Sequence, residues 1–181
     1  MKNLILIIGL SLTTLTGIAQ KKIIKSFEAL SISGGGNVQV FYSPQATLEI
    51  KGQETCMQKA DIAQTSGNLS IAISGDCKEP LQIFIGTPSL KRLNQMGGGN
   101  IEVRKGFGTF DALFCTISGG GNMTILDSIK SLSASVYGGG ILSAHVNKLL
   151  EGNINGGGSI FYKGTAVVKS NVLGGGKIKK L

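Results

Sequence analysis

The sequence predicts an all-β protein, more narrowly a right-handed single-stranded parallel β-helix (a β-solenoid) with about 18–22 residues per turn. Three observations predict it. Glycine accounts for 28 of the 181 residues, eighteen of these glycines form six GGG triplets, and apolar residues alternate with polar ones beside the triplets. Collagen is excluded because glycine does not recur at every third position, and disorder is excluded because 41% of the residues are hydrophobic. So much glycine also argues against helix-rich enzyme folds.

The N-terminus has the features of an export signal. Lys2 precedes an apolar run, and Gly17 and Ala19 place small residues at the −3 and −1 positions of a cleavage site. A retained N-terminal anchor helix is the alternative. We predict a signal peptide over residues 1–19 and an extracytoplasmic mature chain in the periplasm, at the cell surface or secreted. Because no Cys follows the cleavage point, we do not expect a lipoprotein.

The glycine triplets define the repeat. The last five begin 22, 19, 18 and 18 residues apart, and the first precedes the second by 63 residues, about three such periods. Residues two positions before and after the triplets are apolar, with Gln95 as the exception, which indicates strands with one buried face. Each triplet is predicted to form a bend between two strands, where glycine adopts positive φ without steric cost. The stacked bends would form a ridge of Gly34, Gly35, Gly36, Gly97, Gly98, Gly99, Gly119, Gly120, Gly121, Gly138, Gly139, Gly140, Gly156, Gly157, Gly158, Gly174, Gly175 and Gly176.

The mature chain, residues 20–181, is predicted to be a single solenoid domain with two parts. Residues 97–181 hold the regular GGG repeats, whereas residues 37–96 form less regular turns, with strands at VQVFY, TLEIK, LSIAI and LQIFI and a short helix or loop over residues 54–64. The Pro88 segment is expected to form a corner. Three turns of the solenoid, one with an insertion, would fill the long gap between the first two triplets. The alternative architecture is an antiparallel β-sandwich whose turns contain GGG.

The cysteines indicate at most one disulfide. Export permits disulfides, and a bond between Cys56 and Cys77 would stabilise the fold by about 3 kcal/mol. Whether this bond forms is left open. Cys115 lies at an alternating apolar position, where a small buried side chain is expected. Three cysteines without a neighbouring His predict neither a zinc site nor a nucleophile.

The repeat resembles a known family. The segments FEALSISGGGNVQV and TPSLKRLNQMGGGNIEV, followed by further GGG units with apolar flanks, are similar to the auto-transporter adhesin "head GIN" domain family of exported bacterial proteins. The resemblance covers roughly residues 27–178. It implies a β-solenoid fold and an extracytoplasmic location, and it supplies no catalytic or ligand-binding residues.

The sequence contains no complete catalytic or cofactor-binding motif. GGGKIK lacks the hydroxyl residue of a Walker loop, and the aspartates do not recur in register as a calcium β-roll requires. Glu102, Asp111 and Asp127 are the candidate carboxylates for a glycan lyase or hydrolase, which is the alternative function, but spaced surface acids usually serve solubility. His145 has no obvious Ser or Cys partner. We therefore expect no enzyme, no metal site and no cofactor.

The predicted function is binding. We expect an exported adhesin-like or envelope structural module whose flat repetitive face contacts glycans or other anionic envelope polymers. Aromatic side chains on the strands are weaker candidates for stacking on sugars: Phe41, Tyr42, Tyr137, Phe161 and Tyr162. The net charge of +8 arises mostly from the C-terminal part of the chain and suits anionic partners, but no nucleic-acid motif is present. Self-association through the solenoid ends is a further expectation. The predicted ligand-facing residues are those next to the triplets: Asn37, Asn100, Asn122, Ser159 and Lys177.

Overall fold

The structure is a computed structural model that describes residues 20–181, so the predicted signal peptide lies outside the described residues. The one helix in this range, α1, spans Glu54–Met57. The strands are β1 (Gln20–Ile23), β2 (Phe27–Ser33), β3 (Asn37–Tyr42), β4 (Thr47–Lys51), β5 (Ala60–Thr65), β6 (Gly67–Ile73), β7 (Gln82–Thr87), β8 (Arg92–Gly97), β9 (Asn100–Val103), β10 (Thr109–Gly119), β11 (Asn122–Gly138), β12 (Ile141–Asn155), β13 (Ser159–Lys163), β14 (Val167–Leu173) and β15 (Lys177–Lys180).

The all-β prediction is confirmed. Over residues 20–181 the strands form one curled sheet of 15 strands with mixed parallel and antiparallel pairing. Most of the sheet consists of two columns of parallel strands. The pre-glycine column contains the strands that lead into the triplets, in the order β6, β2, β8, the end of β10, the second halves of β11 and β12, and β14. The post-glycine column contains the strands that follow them, in the order β7, β3, β9, the first halves of β11 and β12, β13 and β15.

Pairing is not parallel throughout. In the N-terminal part, where the sequence predicts less regular turns, β1 pairs with β4, β4 with β7, and β5 with β6, all antiparallel, so the prediction of a parallel β-helix is wrong for these strands. These strands lie on the outer side of β6 and β7, where they cover edges that would otherwise leave backbone groups unpaired. The alternative of an antiparallel sandwich is also wrong, because every strand that flanks a triplet pairs in parallel with the corresponding strand of the next triplet.

The first triplet lies directly beside the second, so the prediction of three intervening turns is wrong. Asn37 pairs with Asn100, and the Gly34 N–H donates to the carbonyl of Met96 at 2.9 Å. The residues between the two triplets leave the stack and place β6 and β7 on the other side of β2 and β3. The turn that contains β6 and β7 has no GGG triplet between these two strands. Its connection runs through residues 74–81 and includes Cys77, whose sulfur is bonded to that of Cys56 with the two Cα atoms 5.8 Å apart.

The shorter features expected in the less regular part are present. The sequence TLEIK forms β4, and helix α1 follows it, but the predicted helix or loop over residues 54–64 is wrong for residues 60–64, which belong to strand β5. Between β7 and β8 the chain turns at the Pro88 segment, where the Thr87 hydroxyl donates to the carbonyls of Ser89 and Phe27 at 2.8 and 3.2 Å. No helix of the described residues is long and apolar enough to cross a membrane.

The core is one cluster of inward-facing side chains between the two columns. Ile117, Val136 and Ile154 occupy one row of the pre-glycine column, and each is at most 2% exposed. Gln95 occupies the same row and is also buried. Its amide nitrogen donates to the carbonyls of Gly98 and Gly99 at 3.3 and 3.0 Å. The exception in the sequence pattern is therefore a polar side chain that binds the adjoining glycine bend.

Candidate binding surface

The six glycine triplets form a ridge in which each triplet hydrogen-bonds to the next. The Gly139 N–H donates to the Gly119 carbonyl at 3.0 Å, and the Ile141 N–H donates to the Gly121 carbonyl at 3.0 Å. The first glycine of every triplet has positive φ, between 93° and 124°. An L-residue with a side chain adopts this conformation only with strain, so the bend depends on glycine.

The three positions of a triplet differ in the space around them. A Cβ atom on Gly156 would lie 2.7 Å from the Gly138 carbonyl oxygen, and one on Gly158 would lie 2.5 Å from a methyl carbon of Val136. A Cβ atom on the middle glycine, Gly157, would meet no heavy atom within 4 Å. The first and third glycines therefore allow successive turns to approach closely, whereas the middle glycines form a bare, open crest.

The predicted ligand-facing positions lie in one row of the post-glycine column, beside this crest. Asn37 pairs with Asn100, Asn100 with Asn122, Asn122 with Ile141, Ile141 with Ser159, and Ser159 with Lys177. Neighbouring strands of a sheet are separated by about 4.8 Å, so the row is about 24 Å long. We call these six residues the asparagine row. Ile141, a member that the sequence analysis did not include, interrupts its polar character.

The amide groups of the asparagine row bind one another. The Asn100 amide nitrogen donates to the Asn37 side-chain oxygen at 2.9 Å, and the Asn122 amide nitrogen donates to the Asn100 oxygen at 3.0 Å. Asn100, Asn122 and Lys177 are exposed, whereas Ser159 is only 9% exposed. The ladder orients the amides and leaves hydrogen-bonding capacity on each of them. The accessible polar groups of the row therefore lie at the asparagine end and the lysine end, with the exposed Ile141 side chain between them.

A second row lies on the other side of the crest, in the pre-glycine column. Its members immediately precede the triplets, and Met96, Tyr137 and Leu173 among them are about half exposed or more. Sequence reasoning identified Tyr137 but did not place it beside the asparagine row. The sequence shows which residue precedes each triplet. Only the bend at the triplet places that residue across the crest from the asparagine row.

The remaining aromatic candidates fall into two groups. The Tyr42 ring contacts the Phe107 ring edge-on, with the ring centres 5.9 Å apart, at the end of the sheet face far from the crest. Phe161 lies on the outer face, 5.7 Å from the Lys177 ammonium, whereas its neighbour Tyr162 packs against the core.

The candidate carboxylates are each engaged separately. Glu102 lies 3.9 Å from Arg104, Asp111 lies 2.7 Å from the Lys130 ammonium, and Asp127 accepts hydrogen bonds from the backbone N–H groups of Gly106 and Phe107 at 2.9 and 2.7 Å. The hydrogen bond from Lys130 lowers the pKa of the Asp111 carboxyl, which is opposite to what a general acid requires.

The other reactive groups do not form a site. Cys115 is buried, and its burial raises the pKa of its thiol, which disfavours the nucleophilic thiolate. His145 is exposed on the outer face of β12. Within residues 20–181 no group of three or more His, Cys, Asp or Glu side chains could hold a metal ion.

Comparisons with known proteins agree with the fold. A search of curated proteins finds no match. Among solved structures, the chain is similar to a putative adhesin from Bacteroides fragilis, with 19% identity, a TM-score of 0.59, and coverage of 93% of this chain and 98% of the other. It is also similar to a putative adhesin from Parabacteroides merdae, with 16% identity, a TM-score of 0.50, and coverage of 91% and 95%. At this identity the likeness concerns the fold.

The family comparison concerns the regular part of the chain. Residues 104–166 match the family model described as "Putative auto-transporter adhesin, head GIN domain". This range extends from the end of β9 to the loop before β14 and includes three of the six triplets. The resemblance to the head GIN domain family is therefore confirmed, and residues 104–166 are the segment that carries it.

Proposed function

We propose that this chain is an exported, non-enzymatic, adhesin-like module that binds an elongated envelope polymer along the asparagine row. One observation carries the proposal: residues distant in sequence but equivalent in the repeat align in a single register across the sheet. Such a row places side chains at regular intervals of about 4.8 Å, and three successive members, Asn37, Asn100 and Asn122, carry the same amide group. A polymer with a regular repeat suits this arrangement better than a compact small molecule does.

The glycine crest supports the proposal. Because the middle glycines have no side chain and open space around them, a ligand on the asparagine row can approach the backbone closely. Asn100 and Asn122 would bind hydroxyl groups with the donor and acceptor capacity that their ladder leaves free. Tyr137, half exposed on the other side of the crest, would pack against the apolar face of the same ligand.

We also propose a right-handed solenoid geometry for the two parallel columns. The support is general: connections between parallel strands of one sheet are right-handed in about 98% of known cases. Each turn here runs from a post-glycine strand to a pre-glycine strand and through a triplet to the next turn.

Three further parts of the proposal concern context. Removal of residues 1–19 as a signal peptide would place residues 20–181, as a single domain without a lipid anchor, outside the cytoplasm.

Binding is favoured over glycan cleavage because Glu102, Asp111 and Asp127 each have a separate partner. Self-association through the ends of the sheet would have to overcome the repulsion between the lysines that β15 carries at one end and β1 at the other.

The test is a binding measurement with mature protein, residues 20–181, on an array of purified bacterial envelope polysaccharides. We expect Asn100→Ala/Asn122→Ala to weaken binding roughly tenfold, because two hydrogen bonds of about 0.5–1.5 kcal/mol are lost. Asn153→Ala/Asn171→Ala is the matched control, since this exposed pair occupies neighbouring strands of the other column. Equal loss in both variants, or no binding by the unmodified protein, would refute the proposed role.

A further inference from the structure

The C-terminal end of the post-glycine column carries a cluster of lysines around one aromatic ring. On the outer face, Ser143 pairs with Phe161 and Phe161 with Lys179, while Lys177 and Lys163 lie in the two flanking rows. All three lysines are exposed, and the Lys177 ammonium lies 5.7 Å from the centre of the Phe161 ring. We call Phe161, Lys163, Lys177 and Lys179 the lysine patch.

The charge of the lysine patch is not compensated locally. Among the ion pairs of residues 20–181, none involves Lys163, Lys177 or Lys179. In the row that contains Phe161, the first acid is Glu102, three strands away and about 14 Å distant. Glu102 itself lies beside Arg104. An exposed cluster of one charge sign attracts anions and raises their local concentration.

The spacing of the lysine patch suits anionic groups on a sugar chain. Lys177 and Lys179 are two residues apart on one strand, about 7 Å between Cα atoms, and Lys163 lies diagonally about 8 Å from Lys179. Their long side chains can converge on one anionic group or bind successive ones. The Phe161 ring lies between these lysines and provides an apolar surface on which the C–H face of a sugar can pack.

The geometry points to a site for an anionic glycan, in which the lysine patch binds carboxylate or phosphate groups of the sugar chain and Phe161 contacts a sugar ring. This inference rests on the proposed function and specifies its ligand. Lys177 is also the last member of the asparagine row. The same sugar chain can therefore continue from the lysine patch towards Asn122 and Asn100, which bind its hydroxyl groups.

The experiment measures binding of residues 20–181 to fluorescent oligosaccharides by anisotropy. The probes are a polyuronate hexasaccharide, a phosphorylated oligosaccharide, a neutral hexasaccharide and single-stranded DNA of similar charge. The test variant is Lys163→Gln/Lys177→Gln/Lys179→Gln. The matched control is Lys21→Gln/Lys22→Gln/Lys25→Gln, which removes the same charge from the opposite end of the sheet. Phe161→Leu tests the aromatic contact, and thermal melting confirms that each variant is folded.

We expect the unmodified protein to bind at least one anionic glycan more tightly than the neutral one, with affinity that falls as salt is added. The test variant should bind at least about tenfold more weakly, because each surface charge pair contributes a factor of about 2–5. The control should change by less than about twofold. Phe161→Leu should weaken glycan binding about threefold.

The other outcomes separate the two proposals. Equal loss in the test and control variants would mean that only overall charge matters and would overturn the inference. DNA binding as tight as glycan binding and dependent on the same lysines would overturn the assignment of a glycan ligand. Binding of neutral glycans through Asn100 and Asn122 alone would overturn the lysine patch and leave the proposed function intact. Absence of all glycan binding would overturn both.

Discussion

The three glycines of one triplet should respond very differently to the same substitution. We consider Gly156→Ala, Gly157→Ala and Gly158→Ala in the fifth triplet. At Gly156 the backbone has φ of +123°, and the new methyl carbon would lie 2.7 Å from the Gly138 carbonyl oxygen and 3.1 Å from its Cα. At Gly158 it would lie 2.5 Å from a Val136 methyl carbon and 2.8 Å from the Gly140 carbonyl oxygen. At Gly157 it would point into open space.

The magnitudes follow from these environments. Positive φ costs an alanine about 1–2 kcal/mol, and a clash with fixed backbone adds about 1–3 kcal/mol. We therefore expect Gly156→Ala to lower the free energy of unfolding by about 3 kcal/mol, and Gly158→Ala, whose φ is not positive, by about 2 kcal/mol. Gly157→Ala should leave this free energy within about 0.5 kcal/mol or raise it slightly, because alanine restricts the unfolded chain.

The assay is equilibrium urea unfolding of residues 20–181, followed by far-ultraviolet circular dichroism. With an m-value of about 2 kcal/mol per molar urea, Gly156→Ala should move the midpoint down by about 1.5 M, and Gly157→Ala should move it by less than about 0.3 M. Gly157→Ala serves as the matched control for composition and position. Similar losses at all three positions would refute the reasoning, as would a neutral Gly156→Ala.

Three further predictions concern other parts of the fold. Cys56→Ser/Cys77→Ser should lower the free energy of unfolding by about 3 kcal/mol, and non-reducing peptide mapping of the unmodified protein should recover the linked pair; free thiols at both positions would contradict it. Asp127→Ala should cost about 2 kcal/mol in urea unfolding, because the backbone N–H groups of the loop after β9 lose their acceptor; a loss no larger than that of Ser128→Ala would argue against this role. Ile117→Ala should cost about 2–5 kcal/mol by removing a fully buried side chain, and an unchanged midpoint would mean that the two columns do not enclose it.

Local signals predicted the strands and bends of the regular part. Alternation around each triplet identifies an inward position, and Val38, Met123 and Leu142 are all buried as the pattern requires. At the C-terminal end the same pattern does not ensure burial: Val172 is 38% exposed because no further strand pairs with β14 in residues 20–181. Periodicity thus predicts which way a side chain faces, whereas neighbouring strands determine how much of it is covered.

The order of the turns was not predictable from spacing. The long gap between the first two triplets is compatible with three turns in succession, and nothing local indicates that β8 pairs with β2. That pairing is a long-range choice between strands of similar apolar pattern. The same limit applies to the binding surface: the residues after each triplet were identifiable, but the lysine patch around Phe161 required the register between β13 and β15.

The most direct test of the account is the distance between the first and last triplets. Spin labels at Gly35→Cys and Gly175→Cys would occupy open positions, and buried Cys115 would remain unlabelled. If all six triplets lie in adjacent turns, five steps separate these positions, and electron–electron double resonance should measure a distance of about 24 Å. If three turns separated the first triplet from the second, the distance would be about 34 Å. The longer distance, or a broad distribution of distances, would contradict the stacking of all six triplets in adjacent turns.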